Sequence, residues 1–221
     1  MSTLQRDAIG LGLGVGVFGV SFGALAVTAG LSLWQAQALS LLMFTGGSQY
    51  ALVGVLTSGG SAAAAATVAW LLGARNTFYT VRLAPLLAHG PRRVVEAQWV
   101  IDETTAMATA AEPDGRGREA FLLTGASVYL FWNLGTLAGS VAAGLAPDPE
   151  LLGLDAAFPA AFVALLAPRL RADPVAGVVA LLGGAVALAL TPYVPAGVPV
   201  LASLVAVAPI VVRARREGGA A

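Results

Sequence analysis

The sequence predicts an all-α protein: a polytopic bundle of transmembrane helices, about seven or eight spans, some discontinuous, forming one domain over residues 1–221. Three observations carry that expectation. The chain is 57% hydrophobic and only 11% charged, where a soluble domain carries roughly 25% charge. No charged residue stands between Asp7 and Arg75, a run of 67 positions. None stands between Pro174 and Val212 either. A soluble interior is too small to hide such runs, whereas a bilayer asks for about 20 apolar residues per crossing helix.

Taken in order, the first span is residues 8–30. Its 23 uncharged residues exceed the short apolar core of a cleaved leader, so it reads as a span. It holds three small-xxx-small pairs, Gly10/Gly14, Gly12/Gly16 and Gly19/Gly23. Such spacing lets a neighbouring helix come close. The second, 33–56, is interrupted at Thr45-Gly46-Gly47-Ser48-Gln49-Tyr50. The third starts at Ala62, meets Gly73-Ala74-Arg75-Asn76 and continues to Leu87. The fourth, 94–111, is unusually polar and carries Glu96, Gln98, Asp102 and Glu103. An aqueous loop with Arg116 and Arg118 precedes a long fifth span, 120–143. A short sixth, 154–168, opens at Asp155, an expected helix cap, and is broken at Phe158-Pro159. The seventh is 175–190, and the eighth is 198–212 with the tail arginines Arg213, Arg215 and Arg216 behind it.

Arginine placement sets the expected orientation. The tail and the Arg169/Arg171 loop read as cytoplasmic, the Asp148/Glu150 loop as outside, and the Arg116/Arg118 loop as inside. Arg92 and Arg93 conflict with this if 94–111 crosses fully. If that segment dips in and returns, the conflict vanishes and seven crossings remain. A weak internal echo pairs Gly23–Ala26 and Phe44–Gly47 with Gly139–Ala142 and Phe158-Pro159. Duplicated halves with broken helices in matching places are common in transporters.

Composition excludes several functions. Zero net charge offers no footprint for nucleic acid. With no Cys there is no disulfide, thiolate metal site or Cys nucleophile, and one His, His89, rules out a multi-His metal site within the chain. No cofactor is expected. His89 beside Gly90-Pro91 reads as a loop residue.

Three groups bear chemistry. Gly46 and Gly47 weaken a helix by about 1 kcal/mol each relative to Ala, and Thr45, Ser48 and Gln49 bring polar groups to bilayer depth. Backbone groups freed by unwinding there must be met by protein, water or substrate. A zwitterionic amino acid has the complementary ends: its carboxylate suits a helix N-terminus and its ammonium suits carbonyls. The alternative is a packed kink with Ser48 bonded to its own helix. Arg75 and Asn76 are either a carboxylate anchor, with Asp102 or Glu103 as partner, or lie where the third helix ends and Arg75 reaches an interface. Gln98, Asp102, Thr105 and Thr109 would share one face of a continuous fourth helix. Asp102 or Glu103 would then carry protons at membrane depth. Alternatively this helix lies at the interface and its acids meet water.

Several stretches resemble the AzlC family, the large subunits of branched-chain amino-acid permeases. They are Phe18-Gly19-Val20-Ser21-Phe22-Gly23, Phe44-Thr45-Gly46-Gly47-Ser48-Gln49-Tyr50, Arg75-Asn76 through Leu83-Ala84-Pro85, Asp102-Glu103, and Gly153-Leu154-Asp155 to Pro159. The resemblance implies a bacterial inner-membrane exporter of valine, isoleucine, leucine or methionine. It also implies drive from the proton gradient, a small hydrophobic partner subunit of the AzlD type, and no enzymatic activity. Two other classes compete: an intramembrane hydrolase using Ser48 and His89, and a channel or assembly subunit that transports nothing itself. The first needs Ser48 and His89 within hydrogen-bond reach. The second has no use for Asp102.

Overall fold

The computed structural model describes residues 1–145, 163, 166–167, 170–194, 198–199, 202–203 and 205–210. Among them there is no strand, and nine helices have defined bounds. These are α1 (Thr3–Thr28), α2 (Leu33–Leu42), α3 (Gly46–Thr57), α4 (Ala62–Gly73), α5 (Arg75–Leu83), α6 (Arg92–Ala97), α7 (Asp102–Ala110), α8 (Gly117–Leu145) and α9 (Pro174–Leu190). All of the expected span 154–168 but residues 163, 166 and 167, with Asp155, the Phe158-Pro159 half of the echo, Asp148, Glu150, Arg169 and the tail arginines, lies outside the described residues.

Helix starts follow local rules. Ser2 and Gln5 form a capping box, with the Gln5 N–H donating to Ser2 Oγ at 3.2 Å and the Ser2 N–H to Gln5 Oε1 at 2.9 Å. Ser32 and Gln35 repeat it at α2. Each box satisfies N–H groups that a helix leaves orphaned. Gly30 and Gly59 follow the ends of α1 and α3 at φ 92° and 78°, a backbone region that favours glycine.

The core is a parallel pair, α1 against α8. Gly12 faces Ser127 and Phe131, Gly16 faces Phe131, Gly19 faces Trp132, and Gly23 faces Thr136 and Ser140. The numbers rise together, so the helices run in the same direction. From the other side, Gly135 meets Gly16 and Gly139 meets Val20. A Cβ on Gly19 would come within 2.6 Å of the Trp132 carbonyl oxygen. Of the three expected glycine pairs, Gly12/Gly16 and Gly19/Gly23 line this seam. Gly10 and Gly14 face open space.

The two helices carry large apolar residues on their outer faces, and besides Phe22, Leu25, Phe121, Val128 and Trp132 they bury small and polar ones. Ile9, Leu13, Val17 and Val20 on α1 are exposed, as are Leu130, Leu134, Leu137 and Val141 on α8. Thr124, Asn133, Thr136 and Ser140 are buried. In water that arrangement is the wrong way round. Next to lipid, small and polar residues hold helices together and Leu faces the solvent. With 26 and 29 residues, α1 and α8 are the described helices long and apolar enough to cross a membrane.

The expected second span is not one straight helix. Met43 (φ −109°, ψ 59°) and Thr45 (φ −154°, ψ 93°) leave helical geometry, and α3 turns back beside α2. A cavity of about 390 Å³ lies between the arms, lined by Leu31, Gln35, Leu39 and Met43 on one side and Leu52, Leu56 and Ala62 on the other. A collinear α2–α3 of 25 residues would hold its two ends about 37 Å apart, too far to line one cavity. α4 then runs antiparallel to α3, with Val55 on Ala65 and Ser48 beside Gly73. α4 and α5 are separated by Ala74 alone, which keeps helical angles.

The expected fourth span is also a hairpin. Glu96 of α6 pairs with Arg118 at the start of α8, at 2.7 Å. Glu112, just beyond α7, pairs with Arg82 at the end of α5. The ends of α5, α6, α7 and the start of α8 therefore share one end of the molecule. Between them the chain dips inward, with Trp99 against Gly125 of α8. Of the expected spans, the first and fifth coincide with the two described helices long and apolar enough to cross a membrane, α1 and α8. The polar stripe fails: residues 98–101 are outside both helices, so Gln98 shares no helical face with Asp102. The physical reason is local. Thr104 donates to the Trp99 and Ile101 carbonyls and accepts the Ile101 N–H at 3.0 Å, which starts a new helix at Asp102.

Candidate functional site

Three interruptions meet in one place: the α2–α3 turn, the α4–α5 junction and the α6–α7 turn. Trp132, near the midpoint of α8, touches the position a Cβ on Gly46 would take. Residues 43–47 and 98–102 are the tips of the two hairpins. Arg75 opens α5 between them. Its Nη2 donates to Asp102 Oδ2 at 2.7 Å and lies 3.4 Å from where a Gly47 Cβ would sit. Tyr79 Oη donates to Asp102 Oδ1 at 2.6 Å. Arg75 and Asp102 side chains are 35% and 42% exposed, so a solute that reaches this depth touches both.

The two tips are bonded to each other. Gln98 Nε2 donates to the carbonyls of Leu41 (2.7 Å) and Leu42 (3.1 Å), and Tyr129 Oη to that of Leu41. Gln49 Nε2 donates to the carbonyls of Leu39 and Met43, at 2.9 and 2.8 Å. Its Oε1 accepts from Trp132 Nε1 at 2.9 Å. Four carbonyls at the break in α2, those of Leu39, Leu41, Leu42 and Met43, are thus met by protein side chains. The N-terminus of α3 differs: Thr45 at its cap makes no side-chain capping bond.

Of the residues expected at the site, Gly46, Gly47, Arg75 and Asp102 come together. Thr45 and Ser48 sit beside them, their hydroxyls 3.4 Å apart, and Ser48 is buried against Gly73. Gln49 is fully buried and all its amide hydrogen-bonding positions named above are taken. Asn76 adjoins Arg75; its Oδ1 is buried without a partner, as is Arg75 Nε. Of the two carboxylates weighed for Arg75, the pairing is with Asp102. Glu103 is half-buried and makes no salt bridge among the described residues. His89 stands exposed in a loop, as expected. Ser48 is buried beside Gly73 and no hydrogen bond joins His89 to it among the described residues, so the contact that a Ser–His dyad needs is not formed here.

Sequence reasoning missed a buried polar ladder between α2 and α8. Gln37 Nε2 donates to Asn133 Oδ1 at 3.2 Å and Ser40 Oγ to Thr136 Oγ1 at 3.1 Å. The signal was available: Gln37 and Asn133 are amides in otherwise apolar runs. Tyr129 and Trp132 were missed too, since an aromatic in a span signals nothing by itself.

No group of three or more His, Cys, Asp or Glu residues suited to a metal ion exists among the described residues. No curated protein and no solved structure matches the chain. The interrupted helices, the glycine seam and the Arg75–Asp102 pair all fall within residues 10–145, the stretch matched by the family model described as "AzlC protein", and the chain, more than half covered, belongs to the AzlC family.

Proposed function

We propose that this chain is the large subunit of a proton-coupled permease that exports branched-chain or similar small hydrophobic amino acids. Its family is transport-associated and membrane-bound, and works with a small partner subunit; an AzlD-type protein is the partner we assign. The observation that carries the reading is the meeting of three helix interruptions around Arg75, Asp102 and Gly47 near the middle of α8. Substrate sites in broken helices at mid-depth recur among transporters. An ionisable pair there is costly to keep unless it works on a solute or proton path.

In this reading α1, α4–α5 and α8 cross, while α2–α3 and α6–α7 enter from opposite faces and return. Counting α9 and the spans expected from the sequence at 154–168 and 198–212, this reading has six crossings rather than seven or eight. Arginine placement supports it. Arg6, Arg82, Arg92, Arg93, Arg116 and Arg118 then lie at one end, and Arg169, Arg171 and the tail arginines fall on the same side. That side is cytoplasmic by the positive-inside rule, in the bacterial inner membrane. Arg75 is the exception, at the site. Thr45, Gly46, Gly47, Ser48 and Asn76 surround the substrate, and Asp102 with Glu103 handles the proton.

The test is efflux of preloaded labelled valine from cells lacking their own exporters, with this chain expressed alone and with the small partner. Efflux that collapses when the proton gradient is dissipated supports the proposal. Verified insertion of both chains with no efflux of valine, isoleucine, leucine or methionine sinks it.

A further inference from the structure

We infer that the substrate is recognised as a zwitterion that inserts into the Arg75–Asp102 ion pair, its carboxylate taking Arg75 and its ammonium taking Asp102. The inference rests on the permease reading and names how that site reads its substrate. A direct accounting of hydrogen bonds leads to it. The obvious acceptors for an ammonium, the carbonyls of Leu39, Leu41, Leu42 and Met43, are engaged by Gln49, Gln98 and Tyr129. Among the described residues the carboxylates at the site are Asp102, paired with Arg75, and its chain neighbour Glu103, and Asn76 Oδ1 is buried without a partner. Donors for a carboxylate remain: Arg75 Nε, equally buried and unpartnered, and the first N–H groups of α3, which have no side-chain cap.

A buried unpartnered donor, Arg75 Nε, and a buried unpartnered acceptor, Asn76 Oδ1, lie beside a pair whose members are both more than a third exposed. A ligand with a single charge satisfies one side only and leaves the other partner of the broken pair uncompensated. A zwitterion exchanges one ion pair for two. The α3 N-terminus adds partial positive charge on the carboxylate side.

Coupling follows from the same geometry. Asp102 faces Arg75 and Tyr79 from α5, the uncharged Gly47 end of α3 adjoins Arg75, and Glu103 neighbours it on α7. A proton on Asp102 removes the partner of the ammonium, so proton and substrate compete for one carboxylate. Competition of that kind is the requirement for exchange of an inward proton against an outward amino acid.

The experiment is equilibrium binding of labelled leucine to the purified full chain with its small partner. Competition is measured with 4-methylpentanoate, which lacks the ammonium, and 3-methylbutylamine, which lacks the carboxylate. Each analogue should compete about tenfold or more weakly than leucine, because each forfeits a charge-assisted contact. Leucine binding should weaken toward acid pH. In Asp102→Asn, which keeps an acceptor for Arg75 and Tyr79, the acid weakening should disappear and 4-methylpentanoate should approach leucine. Asp102→Glu should restore both behaviours. Equal competition by 4-methylpentanoate in the unmodified chain, or an unchanged pH response in Asp102→Asn, overturns this inference while leaving the permease reading intact. Absence of leucine binding by the folded, unmodified complex overturns both.

Discussion

Replacing Gln49 by Ala would strip a donor from the Leu39 and Met43 carbonyls and an acceptor from Trp132 Nε1, all in the interior. Each buried group left unmatched costs roughly 1–3 kcal/mol, so a loss of about 3 kcal/mol or more is expected. A thermal-shift measurement in detergent checks it. A melting temperature equal to the parent's would mean water replaces the amide. Gln49 thus supports the break. The sequence exposed this residue through its company: adjacent glycines inside an apolar run, then polar side chains. It did not reveal which way the amide points, because a buried amide that caps carbonyls and one that holds a ligand look alike in one dimension. Arg75 and Asp102 were legible for a different reason. A lone charge deep in an apolar run needs a partner, and few residues were available.

At the scale of elements, the seam between α1 and α8 sets a sharp contrast among glycines. A Cβ at Gly139 would collide with the Val20 backbone, whereas Gly14 has nothing within 4 Å. Gly139→Ala should lower stability by about 1–3 kcal/mol or prevent folding. Gly14→Ala should raise it by up to about 1 kcal/mol through helix propensity. Melting of the two variants side by side decides whether the seam is closed. The ends of the helices carry a second test. Arg118 holds the Glu96 carboxyl below its usual range against the opposing effect of burial, helped by the Ala88 N–H. Arg82 does the same for Glu112, and Arg116 for Glu119. A depressed carboxylate stabilises the fold above its unfolded pKa, and that contribution fades as pH falls through the folded pKa. The melting temperature should therefore drop as pH falls below the ordinary glutamate range, and Arg118→Ala should flatten the fall. Small-xxx-small spacing made half of this seam readable. Gly135 and Gly139 repeat the same spacing inside a span whose length drew attention first.

The whole molecule turns on direction. Hydropathy marks where a segment is buried but not whether it continues or reverses, so residues 33–56 read as an interrupted span and 94–111 as either a crossing or a segment that dips and returns, where the structure has two hairpins. The helix breaks were visible; the reversal was fixed by the local bonds of Thr104 and by Gln98 and Gln49, whose side chains also bond to α2 and to Trp132 of α8. The absence of Cys makes topology directly measurable. In single-cysteine variants, Ser32→Cys and Ser58→Cys should react with a membrane-impermeant maleimide from one side, and His89→Cys and Asp114→Cys from the other. Labelling of Ser32→Cys and Ser58→Cys from opposite sides would restore a crossing second span. The bonds between hairpin tips carry a mechanical meaning. In the proposed topology the two tips are doors to opposite compartments, and the Gln98 bonds to Leu41 and Leu42 are a bolt thrown from one door into the frame of the other. Neither door withdraws without unlatching its fellow. A chain with Gln98→Ala should behave as an airlock with its interlock removed, letting amino acid run down its own gradient in either direction with no proton moving in return.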